Sequence, residues 1–238
     1  MTPTYEDLTG TAPRFPFHFR QVHAGPHRNF AYAVGDPVTK QAALVDPVFE
    51  VGTLLAAVER DGYTVTHAFV THGHADHAGG IAEMAKRGVT VVVHESWRGH
   101  SRIAAAGDKA RFAKDGEQVL VGEVPVQVLH TPGHTREASC FLVGAAGQAQ
   151  ALLGGDTLFV NACGRCDVSD LPADEAERLM FASLRRLKAL PGDVRVFPGH
   201  YYLGFPSRSL AQQRSENPAL AVEDFAVWRG LWFLREYD

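Results

Sequence analysis

Cysteine is scarce in this sequence, and no apolar run is long. The 238 residues contain three cysteines, Cys140, Cys163 and Cys166. An odd number in a chain too long to depend on covalent crosslinks argues against a disulfide framework. Charges, glycines or prolines interrupt every apolar stretch before the roughly 18 residues that a membrane-spanning helix needs. We therefore expect neither a disulfide scaffold nor a membrane span.

Basic residues are too few and too scattered for nucleic-acid binding. Lysine and arginine total 23 against 27 acidic residues, a net charge of −4, and no basic run is interleaved with aromatics. The N-terminal MTPTYEDLTGTAPRF is acidic and lacks the apolar or arginine-rich pattern of a targeting peptide. We expect a cytoplasmic protein with a small-molecule substrate and with no nucleic-acid or membrane partner. The oligomeric state stays open.

Strand-like and helical patterns share the chain. Apolar runs such as NFAYAV (29–34) and VPVQVLH (124–130) predict strands, whereas 51–62 and 174–190 have helical spacing. This order predicts a mixed α/β protein whose sheets are covered by helices on their outer faces. We predict a catalytic domain at 1–205 and a C-terminal helical extension at 206–238 that packs on it through aromatics and leucines.

One short stretch carries an unusual density of metal-binding side chains. Residues 70–80 read VTHGHADHAGG and follow an apolar run. His72 and His74 can direct both imidazoles at one cation, while Asp76 and His77 can face another. A merely solvated polar turn is the alternative, but a bound metal is the simplest account of four such groups in one loop.

Three later segments repeat the arrangement of a strand that ends in a polar residue beside glycine. They are HTPGHT with His134, LLGGDTLF with Asp156, and VFPGH with His200. Glycine allows the tight turns that a small pocket lined by loop residues requires. We expect these side chains to meet the first cluster at one sheet edge.

The combined pattern, HxHxDH followed by a distant His, an Asp and a His, resembles the metallo-β-lactamase superfamily over nearly the whole chain. The resemblance implies a four-layer αβ/βα sandwich with its metals at one edge of two facing sheets. It also implies two divalent transition metals, with zinc as first choice and iron or manganese as alternatives. By the same resemblance one metal is held by His72, His74 and His134, the other by Asp76, His77 and His200, with Asp156 bridging both.

Such a pair of cations can lower the pKa of a bridging water from 15.7 toward about 7. The resemblance therefore predicts a metal-dependent hydrolase that uses a metal-bridged hydroxide. We assign Asp76 and His77 a catalytic role in addition to their role as ligands.

Segments outside the ligands resemble the branch that contains glyoxalase II (hydroxyacylglutathione hydrolase) and the glutathione persulfide dioxygenases. These segments are GDTLFVNACGRCD, PGHYYLGFPS and RSENPAL. By this resemblance Arg165 binds a glutathione carboxylate, and Tyr201 or Tyr202 contacts the substrate; a surface ion pair is the alternative role for Arg165. Cys166 stands where the branch has threonine, which creates a CxxC that we interpret as packed thiols and not as a redox motif.

The sequence is compatible with two enzyme activities, a hydrolase and a dioxygenase. The HAGG ending of the motif resembles glyoxalase II, which favours hydrolysis of glutathione-type thioesters. HADH, DPV (46–48) and CGR resemble the dioxygenases, in which one Fe(II) is held by the equivalents of His72, His134 and Asp156. A non-catalytic metal-binding protein ranks last. Only residues 201–238 follow the last ligand, too few for the full helical domain of glyoxalase II, so a different thioester stays open.

Overall fold

Two β-sheets pack face to face in the computed structural model, which describes residues 6–24, 27–47 and 51–231. Strands and α-helices are numbered here in chain order. Within the described residues the first sheet has seven strands in sequential order: β1 (Glu6–Asp7), β2 (His18–Ala24), β3 (Asn29–Gly35), β4 (Gln41–Val45), β5 (Thr64–Phe69), β6 (Thr90–His94) and β7 (Ala110–Ala113). Strands β1 to β4 are antiparallel, and β4 to β7 are parallel.

The second sheet has six strands in the described part of the chain. Its spatial order is β15-β14-β11-β10-β9-β8, and its strands are β8 (Gln118–Val121), β9 (Val124–His130), β10 (Ser139–Val143), β11 (Ala151–Leu153), β14 (Arg195–Phe197) and β15 (Arg208–Ser209). A separate two-stranded ladder joins β12 (Leu158–Phe159) to β13 (Ala162–Cys163). Because β9, β11 and β14 all run in one direction, their carboxyl ends meet at the same edge.

Seven α-helices occur in the described residues: α1 (Val51–Arg60), α2 (Ala75–Ala78), α3 (Ile81–Lys86), α4 (Ala173–Lys188), α5 (Leu210–Glu216), α6 (Pro218–Ala221) and α7 (Phe225–Trp228). The longest, α4, buries Ala176, Met180, Leu184 and Leu187 on one face, the spacing expected of an amphipathic helix. Acidic residues in its first turn and basic residues in its last turn complement the helix dipole.

Three apolar cores separate the layers. Phe30, Phe69, Phe141 and Phe197 are buried between the sheets, where Phe69 and Phe141 meet edge to face at a centroid distance of 5.1 Å. Helices α1 and α3 cover the outer face of the first sheet, and α4 to α7 cover that of the second. The predicted four-layer αβ/βα sandwich is confirmed.

The segment after Phe205 contributes both to the second sheet and to its helical cover. Strand β15 pairs with β14, and Trp228 is fully buried against α4 and α6, with its indole N–H donating to the Ala219 carbonyl at 3.2 Å. The division between residues 205 and 206 stays a prediction, and residues 232–238 of the predicted extension lie outside the described residues.

No helix in the described ranges combines the length and apolarity needed to cross a bilayer. The cytoplasmic location also stays a prediction.

A stacked pair of imidazoles joins the two sheets. His94 at the end of β6 lies on His130 at the end of β9, with ring centroids 4.0 Å apart and planes 10° from parallel. The His94 Nδ1 accepts a hydrogen bond from the backbone N–H of Ser96 and so caps a 3₁₀ turn. Burial, followed by the neighbouring His130, lowers the pKa of His94 to about 4.

We predict that His94 contributes to acid sensitivity. The unfolded chain binds a proton at this group near pH 6.5, whereas the folded protein excludes it down to about pH 4, so this part of the stability is lost as pH falls through that window. His94→Asn keeps a capping side chain but removes the titration. The urea midpoint of this variant should therefore fall less between pH 7 and pH 5 than that of the parent. An equal fall in both proteins would contradict the prediction.

Candidate metal centre

The seven predicted ligands lie at one edge of the facing sheets. The chain leaves β5, turns at His72 and enters the short helix α2, so that His74, Asp76 and His77 follow within one turn. The other three follow β9, β11 and β14, strands whose carboxyl ends meet at this edge: His134, Asp156 and His200. The structure therefore brings together ligands that the sequence separates by up to 128 residues, from position 72 to position 200.

His72, His74 and His134 form the first group of donors. The His74 Nδ1 lies 3.1 Å from the His72 Nε2 and 3.0 Å from the His134 Nε2. Each pair of rings is close to perpendicular, with interplanar angles of 81° to 86°. Three imidazole nitrogens that converge in this way offer lone pairs to a common point, as ligands of one transition metal do.

Asp76, His77 and His200 form the second group. The two imidazole Nε2 atoms are 3.1 Å apart, and the Asp76 Oδ2 lies 3.7 Å from the His77 Nε2 and 3.6 Å from the His200 Nε2. A single carboxylate and two imidazoles are a second donor set that suits a divalent transition metal.

Asp156 lies between the groups. Its Oδ2 is 3.4 Å from the His134 Nε2 and 3.3 Å from the His200 Nε2, while its Oδ1 is 3.3 Å from the His77 Nε2. Within the described residues this buried Oδ1 accepts no hydrogen bond. A buried acceptor without a donor is costly, and a cation at this position would satisfy it. The residues present therefore fit a metal centre.

Protonation of the first group also suits metal binding. Burial lowers the pKa of His72 well below its ordinary value and that of His134 to about 4. Burial acts against ionisation of Asp156, but His200 and His77 hold the pKa of its carboxyl well below the usual range. Neutral imidazoles and an ionised carboxylate are the forms that bind metal.

The pKa of His77 shifts in the opposite direction from those of His72 and His134. Burial alone would lower its pKa, but the charges of Asp156 and Asp46 outweigh burial and raise the pKa to about 9. In the absence of a cation this imidazole therefore carries a proton at neutral pH. A metal at the second group must displace that proton.

Outward hydrogen bonds fix the orientation of the imidazole rings. The Nδ1 atoms of His77, His134 and His200 lie at 2.8 to 2.9 Å from the Asp46 carboxylate, the Arg165 carbonyl and the His27 carbonyl, in that order. Acceptors at Nδ1 leave each Nε2 free to bind a cation.

Asp46 is the buried carboxylate behind the second group. It is 1% exposed and also accepts from the Thr71 N–H at 2.7 Å and the Thr71 hydroxyl at 2.8 Å. The sequence reasoning missed this residue, as it missed Asn29, whose side-chain amide donates to the Asp76 carboxylate at 3.0 Å. Its position at the end of a buried strand was the available signal for Asp46.

A cavity of about 310 Å³ opens over both groups. Phe159, Arg165, Val168 and Tyr202 line it together with several of the ligands. His27, which the sequence analysis did not assign to the site, also lines this cavity.

The three residues predicted to contact the substrate occupy different positions relative to the cavity. Arg165 forms a two-pronged ion pair with Asp167, with N···O distances of 2.8 and 2.6 Å, while its side chain borders the cavity. The Tyr202 ring stacks on His200 at a centroid distance of 4.7 Å and also borders it. The Tyr201 ring instead contacts His23 and Phe30 and is not among the cavity-lining residues.

The CxxC segment packs close to the ligand Asp156, and its two cysteines are packed thiols. Cys163 and Cys166 are buried and are not joined by a disulfide, and burial raises the pKa of the Cys166 thiol to about 12. Between them, a Cβ on Gly164 would lie 1.8 Å from the Asp156 carbonyl oxygen. Only glycine fits this close approach of two backbones.

Comparison with known proteins gives the family of the fold and site. The model of the metallo-beta-lactamase superfamily matches residues 24–200. A hydroxyacylglutathione hydrolase of Bradyrhizobium sp. (strain ORS 278) is 34% identical over 201 residues, which cover 84% of this chain and 73% of that protein. Another, of Rhodopseudomonas palustris (strain ATCC BAA-98 / CGA009), is 37% identical over 174 residues, which cover 73% of this chain and 63% of that protein.

Several solved structures are also similar to this chain. A metallo-beta-lactamase from Staphylococcus aureus subsp. aureus COL has a TM-score of 0.81 at 28% identity, covering 89% of this chain and 65% of that one. ETHE1 from Myxococcus xanthus has a TM-score of 0.75 at 33% identity, covering 89% and 88%. TTHA1623 in a di-iron-bound form has a TM-score of 0.66 at 29% identity, covering 83% and 98%.

We predict that Asp46→Asn weakens metal binding at the second group. Loss of the charge that orients His77 should lower metal affinity there by about tenfold or more, as removal of such supporting carboxylates does. Metal content per chain after dialysis against a weak chelator should fall below that of the parent protein. Asp36→Asn is the matched control, because Asp36 is also buried and accepts backbone N–H groups far from the ligands. Equal metal content in the parent and both variants would contradict the prediction.

Proposed function

This chain belongs to the metallo-β-lactamase superfamily, and we propose that within it the protein is a metal-dependent hydrolase of glutathione-type thioesters. The observation that carries the proposal is the complete ligand set, two groups of three donors with Asp156 between them. The curated relatives named hydroxyacylglutathione hydrolase bear out the predicted hydrolase and its small-molecule substrate.

The family and the donor groups indicate a divalent-metal enzyme; the number and identity of the metals belong to the proposal. His72, His74 and His134 would hold the first, Asp76, His77 and His200 the second, and Asp156 would contact both. Zinc suits these nitrogen and oxygen donors, with iron or manganese as alternatives. Bound there, the two cations would supply a water of lowered pKa and polarise the thioester carbonyl.

The protein's own groups at the cavity fit this reaction. Asp76 is a half-buried ligand whose pKa is lowered; burial opposes the shift, but His77 and the hydrogen bond from Asn29 outweigh it. An ionised carboxylate at the cavity can accept a hydrogen bond from the attacking water and so orient it. Burial raises the pKa of the Tyr202 hydroxyl above its ordinary value, so this group stays protonated and can donate a hydrogen bond to the substrate.

Arg165 supplies the proposed contact to a substrate carboxylate. Its guanidinium already holds the Asp167 carboxylate through two nitrogens, which demonstrates a fork geometry suited to a carboxylate. Its backbone carbonyl orients His134, so this residue connects the substrate end of the cavity to the first group of ligands.

A mononuclear iron dioxygenase of glutathione persulfide is the second candidate. Its motivation is the likeness to ETHE1 from Myxococcus xanthus, which extends over 88% of that chain. The three donors that such an iron would need, His72, His134 and Asp156, all converge here. The dioxygenase and the hydrolase therefore differ in their need for the second group.

We predict that His77→Ala separates the two activities. In a dinuclear hydrolase this variant should lose much of the second metal and at least about tenfold in thioester cleavage, since a ligand has been removed. Metal content, thioester cleavage and persulfide-dependent oxygen uptake would be measured on both proteins. His67→Ala serves as the control, because His67 is a histidine on β5 that belongs to neither donor group.

The opposite pattern would favour the dioxygenase. It consists of a parent that does not cleave thioesters but consumes oxygen with glutathione persulfide, and of a His77→Ala variant that retains both iron and oxygen uptake.

We predict that Arg165→Ala raises KM for glutathione thioesters by about tenfold, since a bidentate charged pair is lost, with little effect on thioesters that lack a carboxylate. Asp167→Asn should act in the other direction, because it removes the carboxylate that competes for the same guanidinium. Steady-state kinetics on both substrate types would test this. A similar rise in KM for both types would contradict a role in carboxylate binding.

A further inference from the structure

Glu137 is a buried carboxylate beside the first group of ligands. It follows His134 in the loop that leads to β10 and is 5% exposed. Its Oε1 accepts a hydrogen bond of 2.9 Å from the backbone N–H of Gly73. A buried acid is rare unless its charge is compensated, so this position calls for a physical reason.

Gly73 is the residue between the ligands His72 and His74, and it is tightly enclosed. A Cβ built on Gly73 would lie 2.9 Å from the Glu137 Oε1 and 2.6 Å from the His100 Nε2. The backbone between the two ligands is therefore held between two side chains, one of which bonds to it. No side chain larger than hydrogen fits there without displacing one of them.

The first group of ligands comes from two separate segments, and Glu137 connects them. His72 and His74 belong to the segment after β5, whereas His134 belongs to the loop after β9. The Glu137 hydrogen bond crosses from the second segment to the middle of the first. We propose that Glu137 is a positioning residue that fixes the separation of His134 from His72 and His74 and thereby strengthens metal binding at this group.

Glu137 acts through the backbone and is not a ligand. It belongs to none of the converging donor groups in the described chain. Asp46 occupies a corresponding place, because it accepts the N–H of Thr71 on the other side of His72. Two buried carboxylates thus anchor the backbone on both sides of this ligand. The inference rests on the proposed function only in taking these groups to bind metal.

Glu137→Ala and Glu137→Gln provide the test. Loss of the carboxylate in the alanine variant should weaken metal binding at the first group by about ten- to a hundredfold. The glutamine variant should recover most of this affinity, because its side-chain carbonyl can still accept the Gly73 N–H. Affinity would be measured by competition with a chelator. The visible absorption of the cobalt(II)-substituted proteins should change in the alanine variant and resemble that of the parent in the glutamine variant.

Glu117→Ala is the matched control. Glu117 also accepts a backbone N–H, that of Lys114 at 2.9 Å, but lies away from the ligands, so its removal should leave metal affinity and the cobalt spectrum unchanged. Melting of the metal-free proteins would separate local from general destabilisation.

Three results would overturn the proposal: parental affinity in Glu137→Ala, equal loss of affinity in both Glu137 variants, or equal loss of affinity in Glu117→Ala. Because affinity and spectrum are measured without substrate, a parent that binds metal but cleaves no thioester would refute the proposed function and leave this test decisive.

Discussion

The close approach of imidazole nitrogen atoms at one sheet edge is the constraint on which the rest of the structure depends. The imidazole nitrogens of the first group lie 3.0 to 3.1 Å apart, a distance at which lone pairs repel unless a proton or a cation lies between them. Burial keeps His72 and His134 in their neutral forms. Rigid elements must therefore hold the rings in place, and the aromatic packing between the sheets supplies that rigidity.

Orientation of the rings depends on groups that face away from the cavity. Asp46 and two backbone carbonyls occupy the outer nitrogens of three imidazoles, and Glu137 fixes the backbone between two others. The three contacts at Nδ1 determine which nitrogen faces inward, so the site is a property of the surrounding loops as much as of its ligands. The CxxC segment takes part in this arrangement, because Gly164 permits its close approach to the Asp156 backbone and the Arg165 carbonyl orients His134.

The ligands could be predicted from the sequence because His72, His134, Asp156 and His200 each follow a strand and stand beside glycine, because the other three lie close to His72 in one short motif, and because the ends of parallel strands meet at one edge. The two strands named from apolar runs agree closely with the structure: β3 exceeds its run by one residue, and β9 coincides with its run. Asp46 and Glu137 could not be found in this way, since a lone acid in a sequence carries no sign of the backbone N–H that it meets after folding. Tyr201 and Tyr202 are adjacent in sequence, and only the packing of the aromatic core separates their directions.

The two activities that the ligand set allows, dinuclear hydrolysis and mononuclear oxygenation, differ in whether a metal must displace the proton on His77. The imidazoles of the first group are neutral in the folded protein, so a cation there displaces no proton from them. A cation at the second group competes with the proton of His77, whose pKa is raised to about 9 by Asp156 and Asp46 against the effect of burial. The Asp156 and Asp46 carboxylates attract both the proton on His77 and a metal cation. They attract the doubly charged cation more strongly. If both groups bind metal as proposed, occupancy of the second group would increase as pH rises toward that pKa, and this would favour the dinuclear hydrolase over the mononuclear dioxygenase.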